Sequence, residues 1–201
     1  NEGTTLYANT PLREHGALVS MLGEQYGDAT DQLLTLYETD IERSTKWGAQ
    51  AIQADRQFVW EMRTWARAVE ASGNDAYLYF FRHGPPVFRI YTPERAAIDM
   101  PDGPSGYGAY HSGDLAYAFG NTQLVGVGWS EWDHQIADAM TNYWVNFAQT
   151  GDPNGEGLAD WPKYEAATDP WLEFGSAIQA TQHIRKDKLD LFDHVNMVPG
   201  S

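Results

Sequence analysis

A histidine on a glycine-rich loop is the residue with the clearest chemical potential in this sequence. His111 lies within residues 108–120, which read GAYHSGDLAYAFG and follow a run rich in Gly and Pro. Small residues favour an exposed loop over a packed core. Because free imidazole titrates near neutral pH, His111 is a candidate general base. Asp114, three residues further on, is expected to brace this loop rather than to react.

A metal site is the main alternative chemistry for these residues. The pairs His111–Asp114 and Asp133–His134 both carry side chains that bind metals. No third ligand falls at a useful spacing, there is no His-Glu-x-x-His motif, and the chain has no cysteine. The sequence therefore predicts no catalytic metal and no cofactor. The other histidines are expected to be solvated or hydrogen-bonded, namely His15, His83, His134, His183 and His194.

The charge of the chain argues against two classes of partner. Its 201 residues include 28 acidic and 13 basic side chains, for a formal net charge of -15. Such a chain repels nucleic acid and anionic membrane surfaces. No apolar run approaches the roughly 20 residues that a membrane span needs. We expect neither a nucleic-acid partner nor a membrane span, and composition alone leaves the compartment open, with a secreted or periplasmic location favoured over a cytoplasmic one.

The order of predicted elements is that of an incomplete α/β layer. Residues 76–81, AYLYFF, are predicted to form a strand buried on both faces, which is typical of a mostly parallel sheet. A terminal hairpin is predicted from residues 171–174 and 178–183. Helices are predicted over residues 11–23, from residue 28, over 41–72, between a capping box at Ser130 and a C-cap at Gly151, and over 186–195. Because so few strands make only part of a sheet, we expect another segment to supply the rest.

One helical pattern makes a specific prediction about burial. Apolar side chains recur at i, i+4, i+7, i+8 and i+11, which predicts an amphipathic stripe made by Phe58, Met62, Trp65, Ala66 and Val69. The basic positions nearby are interpreted as the solvated faces of helices, namely Arg43, Lys46, Arg56 and Arg63.

Three stretches, taken together, resemble the type-B carboxylesterase and cholinesterase family of α/β-hydrolases. Residues 1–4, NEGT, are similar to the motif that carries the triad acid, although Asn1 stands where aspartate is usual. Residues 108–120 are similar to the motif of the triad histidine, with Asp114 where glutamate is common. Residues 143–154, YWVNFAQTGDPN, and the Trp-Pro pair at 161–162 match the structural signature near the family's C-terminus. The resemblance implies that residues 1–201 are the C-terminal part of one α/β-hydrolase catalytic domain.

The family's nucleophile motif does not occur in this sequence. There is no Gly-x-Ser-x-Gly elbow, and Ser105 in GPSG has the wrong spacing. In α/β-hydrolases the serine precedes the acid, and the acid precedes the histidine. The resemblance therefore implies that the serine and the oxyanion hole lie on an upstream segment, of the same precursor or a separate chain. Without that partner the chain is expected to be inactive.

The resemblance implies a carboxylic ester hydrolase with a Ser-His-Glu triad and a small-molecule ester as substrate. His111 would take the proton of the serine hydroxyl, and Glu2 would hold the imidazole in place. Tyr110, Trp60 and Trp65 are candidates for lining the substrate pocket. The alternative is a catalytically inactive, neuroligin-like interaction protein, and retention of Glu2 and His111 argues against it. A free-standing structural domain is a third possibility, against which the incomplete sheet argues.

Overall fold

The computed structural model describes residues 14–86, 108–124 and 128–195. In chain order the helices and strands are α1 (His15–Tyr26), α2 (Thr30–Leu36), α3 (Glu38–Arg43), α4 (Thr45–Ala54), α5 (Trp60–Ala71), β1 (Tyr79–Phe81), α6 (Leu115–Ala118), α7 (Glu131–Thr150), β2 (Pro170–Phe174), β3 (Ile178–Gln182) and α8 (Lys186–Val195). The chain divides into two compact units. The terminal unit combines residues 1–63 with 185–201, and the central unit comprises residues 64–184.

The core of the terminal unit consists of apolar side chains that recur one helical turn apart and therefore lie on one face of their helix. Leu18 and Leu22, one turn apart on α1, are fully buried with Ile52 of α4 and Phe192 of α8. The start of α4 is set by Ser44, whose Oγ accepts a hydrogen bond from the Trp47 amide at 3.0 Å. A π-helical segment, Asp55–Val59, joins α4 to α5.

Burial on α5 differs from the sequence prediction. Arg63 was expected on a solvated face, and this is wrong: its side chain is fully buried, and its Nη2 lies 2.8 Å from Asp190 and 2.8 Å from Asp193 of α8. Two carboxylates make burial of the guanidinium tolerable. Of the predicted stripe, Ala66 is buried, whereas Met62 is 43% and Trp65 is 64% exposed. Apolar spacing on its own therefore does not identify the buried face of this helix.

The central unit is built on a three-stranded sheet in the order β1-β2-β3. β1 pairs with β2 in parallel, with Tyr79 opposite Leu172 and Phe81 opposite Phe174. β2 and β3 form the predicted antiparallel hairpin, with Phe174 opposite Ile178. The predicted strand over residues 76–81 is confirmed in its second half, and its parallel pairing agrees with its continuous apolar character.

Helix α7 covers one face of this sheet. It begins at a capping box in which Ser130 and Asp133 bond each other's main-chain amides, and it ends at Gly151 with a φ of 81°, both as predicted. Ile136, Met140 and Tyr143 lie at helical spacing, are fully buried, and pack with the sheet's apolar residues. The same helix therefore supplies the core and, at its first turn, a buried carboxylate.

The turn after α7 is locked to the core by side-chain bonds to main-chain groups. Asn154 accepts a hydrogen bond from the Trp161 amide at 2.7 Å and donates one to the Trp161 carbonyl at 3.0 Å. The indole N–H of Trp161 donates to the carbonyl of Leu78 at 3.0 Å. The polar residues of the signature at 143–154 thus serve the fold of the central unit.

Candidate functional site

His111 lies on a tight turn between β1 and α6 in the central unit. Gly108 before it and Ser112 after it both have positive φ, of 57° and 66°. The Gly113 amide closes the turn by donating to the Tyr110 carbonyl at 2.9 Å. A serine at positive φ is uncommon and costs free energy, and such residues cluster at functional sites. The turn leaves the His111 side chain half-buried.

The turn is packed directly against the segment that follows β1. A Cβ atom added at Gly113 would lie 2.9 Å from the Tyr110 carbonyl oxygen and 3.1 Å from Cγ of Pro85. A Cβ atom at Gly84 would lie 3.5 Å from Cα of Gly108. The absence of a side chain at Gly113 is therefore a steric requirement, and Pro85 lies against the turn that carries His111.

Asp114 joins this turn to the sheet. The hydroxyl of Tyr79 in β1 donates to Oδ2 of Asp114 at 2.7 Å. The main-chain oxygen of Asp114 accepts from the amides of Tyr117 and Ala118 at 3.0 and 2.9 Å, which starts α6. One residue thus anchors the turn to β1 through its side chain and to α6 through its backbone.

The predicted pocket aromatics have different surroundings. Tyr110, next to His111 in the chain, is buried, and Trp65 in the central unit is largely exposed. In the terminal unit, Trp60 donates its indole N–H to Asp193 at 2.8 Å, and the Arg56 guanidinium carbon lies 4.5 Å from the centre of the Trp60 ring. Their shared role in substrate binding stays a prediction.

The predicted triad acid has no described position. Glu2 lies outside the described residues. Its pairing with His111 is therefore a prediction as well.

A buried carboxylate next to this turn is a feature that the sequence did not reveal. Asp133 is 3% exposed. Its Oδ1 accepts the Tyr117 hydroxyl at 2.6 Å and lies 2.7 Å from Nε2 of His83. Its Oδ2 accepts the hydroxyl and the amide of Ser130 at 2.5 and 2.7 Å. Burial alone raises the pKa of Asp133, but the hydrogen bonds from Ser130, Tyr117 and His83 outweigh burial and lower it to about 2.

The sequence predicts the contact between Ser130 and Asp133 but not the contacts of Asp133 with Tyr117 and His83. The spacing of Ser130 and Asp133 predicts the capping box, and His83 was expected to be solvated or hydrogen-bonded. Sequence spacing does not predict that Tyr117 and His83 contact the same oxygen atom of Asp133. His83 and Asp133 lie 50 positions apart in the chain.

The described residues contain neither a cluster of metal-binding side chains nor a membrane-spanning helix. Among the described residues, no three His, Cys, Asp or Glu side chains are grouped so as to hold a metal ion. Asp133 and His134, adjacent in sequence, have separate partners, since Nδ1 of His134 lies 3.4 Å from Oγ1 of Thr122. Within the described ranges no helix combines the length and apolarity needed to cross a bilayer.

Comparison with known proteins gives the family. Residues 9–192 match the model of the Carboxylesterase family. This chain belongs to the carboxylesterase family. It is 30% identical over 139 residues to a medium-chain fatty acyl-CoA hydrolase precursor of Anas platyrhynchos, covering 69% of this chain and 23% of that protein. It is 35% identical over 99 residues to the bile salt-activated lipase of Bos taurus, covering 46% of this chain and 17% of the lipase.

Solved esterase structures share the fold of this carboxylesterase chain. A carboxylesterase of Geobacillus stearothermophilus superposes with a TM-score of 0.72 at 25% identity, over 94% of this chain and 38% of that one. An esterase of Clostridium hathewayi described as hydrolysing aliphatic aromatic polyesters gives a TM-score of 0.58 at 19% identity, over 92% and 34%. The predicted family and fold class are confirmed: the chain has the architecture of part of an α/β-hydrolase. It spans about a quarter or less of the curated relatives described above.

Proposed function

We propose that this chain supplies the histidine and the acid of a Ser-His-Glu triad in a carboxylic ester hydrolase. The observation that carries the proposal is the placement of His111 in a member of the carboxylesterase family: it is half-buried on a turn with a positive φ at Ser112. A bond from Tyr79 to Asp114 braces that turn. Such bracing suits an imidazole that must move a proton without reorienting.

The order of the triad residues in α/β-hydrolases, serine, then acid, then histidine, assigns the roles of Glu2 and His111 in this proposal. As the serine hydroxyl attacks the ester carbonyl, His111 takes its proton and then returns it to the leaving alcohol. Water then hydrolyses the acyl-enzyme by the same relay. Glu2 accepts the other ring N–H of His111, keeps the tautomer and stabilises the imidazolium. Backbone N–H groups of an oxyanion hole add about 3 to 4 kcal/mol of transition-state stabilisation per donor.

The serine and the oxyanion hole are assigned to an upstream segment, which is the partner that this proposal requires. The relatives named above include a fatty acyl-CoA hydrolase and a lipase, so the substrate class proposed here is an acyl ester. Tyr110, Trp60 and Trp65 are proposed to contribute to its pocket. The catalytic domain is proposed to comprise residues 1–201 together with the upstream segment.

The test uses the chain joined to its upstream segment, with p-nitrophenyl acetate as substrate. His111→Ala is expected to lower kcat by about 10⁴- to 10⁶-fold, because the serine then lacks its general base. His15→Ala, at an exposed position of the terminal unit, is the matched control and should leave kcat unchanged. Turnover retained by His111→Ala would refute the triad assignment.

Two further measurements separate this proposal from the alternatives. Residues 1–201 alone should show no burst of p-nitrophenol, and a burst would contradict the assignment of the nucleophile to another segment. A joined protein that neither turns over esters nor reacts with a fluorophosphonate would instead support the inactive, neuroligin-like alternative.

A further inference from the structure

Asp133 is bonded to two of the described segments that lie next to the His111 turn. Downstream of His111, Tyr117 in α6 donates its hydroxyl to Oδ1 of Asp133 at 2.6 Å. On the other side, Nε2 of His83 lies 2.7 Å from the same oxygen, and Pro85, two residues later, is the side chain that limits the space at Gly113. One buried oxygen atom thus joins the helix that leaves the turn to the segment that packs against it.

We propose that Asp133 is a positioning residue for His111. This inference rests on the proposed function and extends it to a buried residue that acts through other side chains. Asp133 acts through Tyr117 and His83, which set the position of α6 and of Pro85 and so fix the turn at Ser112 and Gly113. The orientation of the imidazole then depends on a carboxylate at the start of α7.

The two oxygens of Asp133 have separable tasks. Oδ2 receives both donors of Ser130 and fixes the carboxylate to the first turn of α7. Oδ1 receives the groups that belong to the surroundings of His111. Helix capping therefore uses one oxygen, and positioning uses the other. Variants can remove either set of bonds and leave the other in place.

The packing around Tyr117 makes its hydroxyl bond an effective link. Tyr117 is fully buried, and its ring lies 5.2 Å from Phe81, 5.3 Å from Trp129 and 5.9 Å from His83 between centroids. Its carbonyl also accepts a hydrogen bond from Oγ1 of Thr141 in α7 at 3.3 Å. Because interiors are densely packed, a shift of Tyr117 is passed to its neighbours rather than absorbed.

The decisive variant is Tyr117→Phe in the chain joined to its upstream segment. It removes one hydroxyl and keeps the ring. We expect kcat for p-nitrophenyl acetate to fall by about 10- to 100-fold, the range produced by misplacing a reacting group by about 1 Å. KM should change less than threefold, because substrate contacts are untouched. Asp133→Asn should give a similar loss of kcat, and the double variant should lose no more than the larger single one.

The matched control is Tyr143→Phe. Tyr143 is also fully buried in the central unit, and its hydroxyl donates at 2.6 Å to the carbonyl of Ala159, which has no part in the His111 turn. Tyr143→Phe should lower the melting temperature and leave kcat unchanged. Ser130→Ala, which removes a donor from Oδ2 only, should behave in the same way. If Tyr117→Phe and Asp133→Asn matched these two controls in kcat, Asp133 would be a helix cap and the proposal would be overturned.

A readout without turnover keeps this test separate from the proposed function. In ¹⁵N-histidine spectra of the joined protein, the His111 ring signals should shift in Tyr117→Phe and stay in place in Tyr143→Phe. Unchanged His111 signals in Tyr117→Phe would overturn the positioning role even where the wild type hydrolyses esters. Shifted signals in a protein that hydrolyses no ester would support the positioning role and refute only the proposed function. If Asp133→Asn does not fold, Tyr117→Phe and His83→Gln are compared with the two controls instead.

Discussion

The buried carboxylates of Asp55 in the terminal unit and Asp133 in the central unit are stabilised in different ways. Asp55 in the terminal unit and Asp133 in the central unit are each 3% exposed, and each accepts a tyrosine hydroxyl at 2.6 Å. Asp55 also meets a permanent cation, since Nε of Arg185 lies 2.7 Å from its Oδ2. Asp133 instead accepts hydrogen bonds from Ser130 and lies beside His83. One site balances charge with charge, whereas the other relies on a set of aligned donors.

The tyrosines at the two sites behave alike. Burial, reinforced by the adjacent carboxylate, raises the pKa of Tyr37 beside Asp55 and of Tyr117 beside Asp133. Both hydroxyls therefore keep their protons at neutral pH and donate them to the carboxylates. The difference between the sites lies in what a lost carboxylate would leave behind. At Asp55 it would leave the Arg185 cation, and at Asp133 it would leave the donors that also hold the His111 turn.

The largest effect on stability is expected from Asp55→Asn. Without the carboxylate, the acidic partner that Arg185 retains among the described residues is Asp40, whose Oδ2 lies 3.8 Å from its Nη2. Breaking a buried ion pair on one side costs about 3 to 5 kcal/mol of unfolding free energy. Urea unfolding of the joined protein measures this loss, and kcat of the folded fraction should stay the same. A loss below 1 kcal/mol would remove the distinction between the two carboxylates.

An intermediate loss of stability is expected when low pH protonates Asp133. Because its folded pKa, about 2, lies below the ordinary value for aspartate, its contribution to stability is present above about pH 4 and is lost as the pH falls through 2. The contribution amounts to about 2 kcal/mol. The difference in unfolding free energy between wild type and Asp133→Asn should therefore shrink by that amount between pH 5 and pH 2.

Ser130→Ala sharpens the acid measurement. It removes one of the donors that lower the pKa of Asp133. The unfolding free energy that this variant loses between pH 5 and pH 2 should therefore be smaller than the loss in the wild type. A difference between wild type and Asp133→Asn that did not vary with pH would contradict the donor-based account of this site.

The smallest effect is expected at a surface ion pair. Nη1 of Arg56 lies 3.0 Å from Oε1 of Glu61, with the two side chains 24% and 50% exposed. Solvent screens such a pair, so Glu61→Gln should change the unfolding free energy by less than about 1 kcal/mol. Thermal melts at low and high salt check this. A loss of stability as large as that of Asp55→Asn would show that burial does not explain the difference between the two ion pairs.

The predictions that succeeded concern features set by residues close together in the chain. The capping box at Ser130 and Asp133, the left-handed Gly151 and the hairpin of β2 and β3 each depend on a few consecutive residues. The motif around His111 is equally local, and it led to the family that the comparison confirmed.

The expectation that failed concerns a buried polar group. Arg63 carries the same charge as the surface arginines, and its partners Asp190 and Asp193 lie 127 and 130 positions further along the chain. The exposure of Trp65 was missed for a related reason, because apolar spacing indicates a face but not what covers it.

The amino-acid sequence by itself determined the family, the α/β-hydrolase fold class and the turn that carries His111. Turn and cap chemistry acts over a few residues, so it can be read from the order of the side chains. Only the tertiary structure decided that Asp133, Tyr117 and His83 share one buried oxygen and that Arg63 lies in a core. Those arrangements depend on long-range packing, in which a polar group is buried wherever the fold supplies its partners.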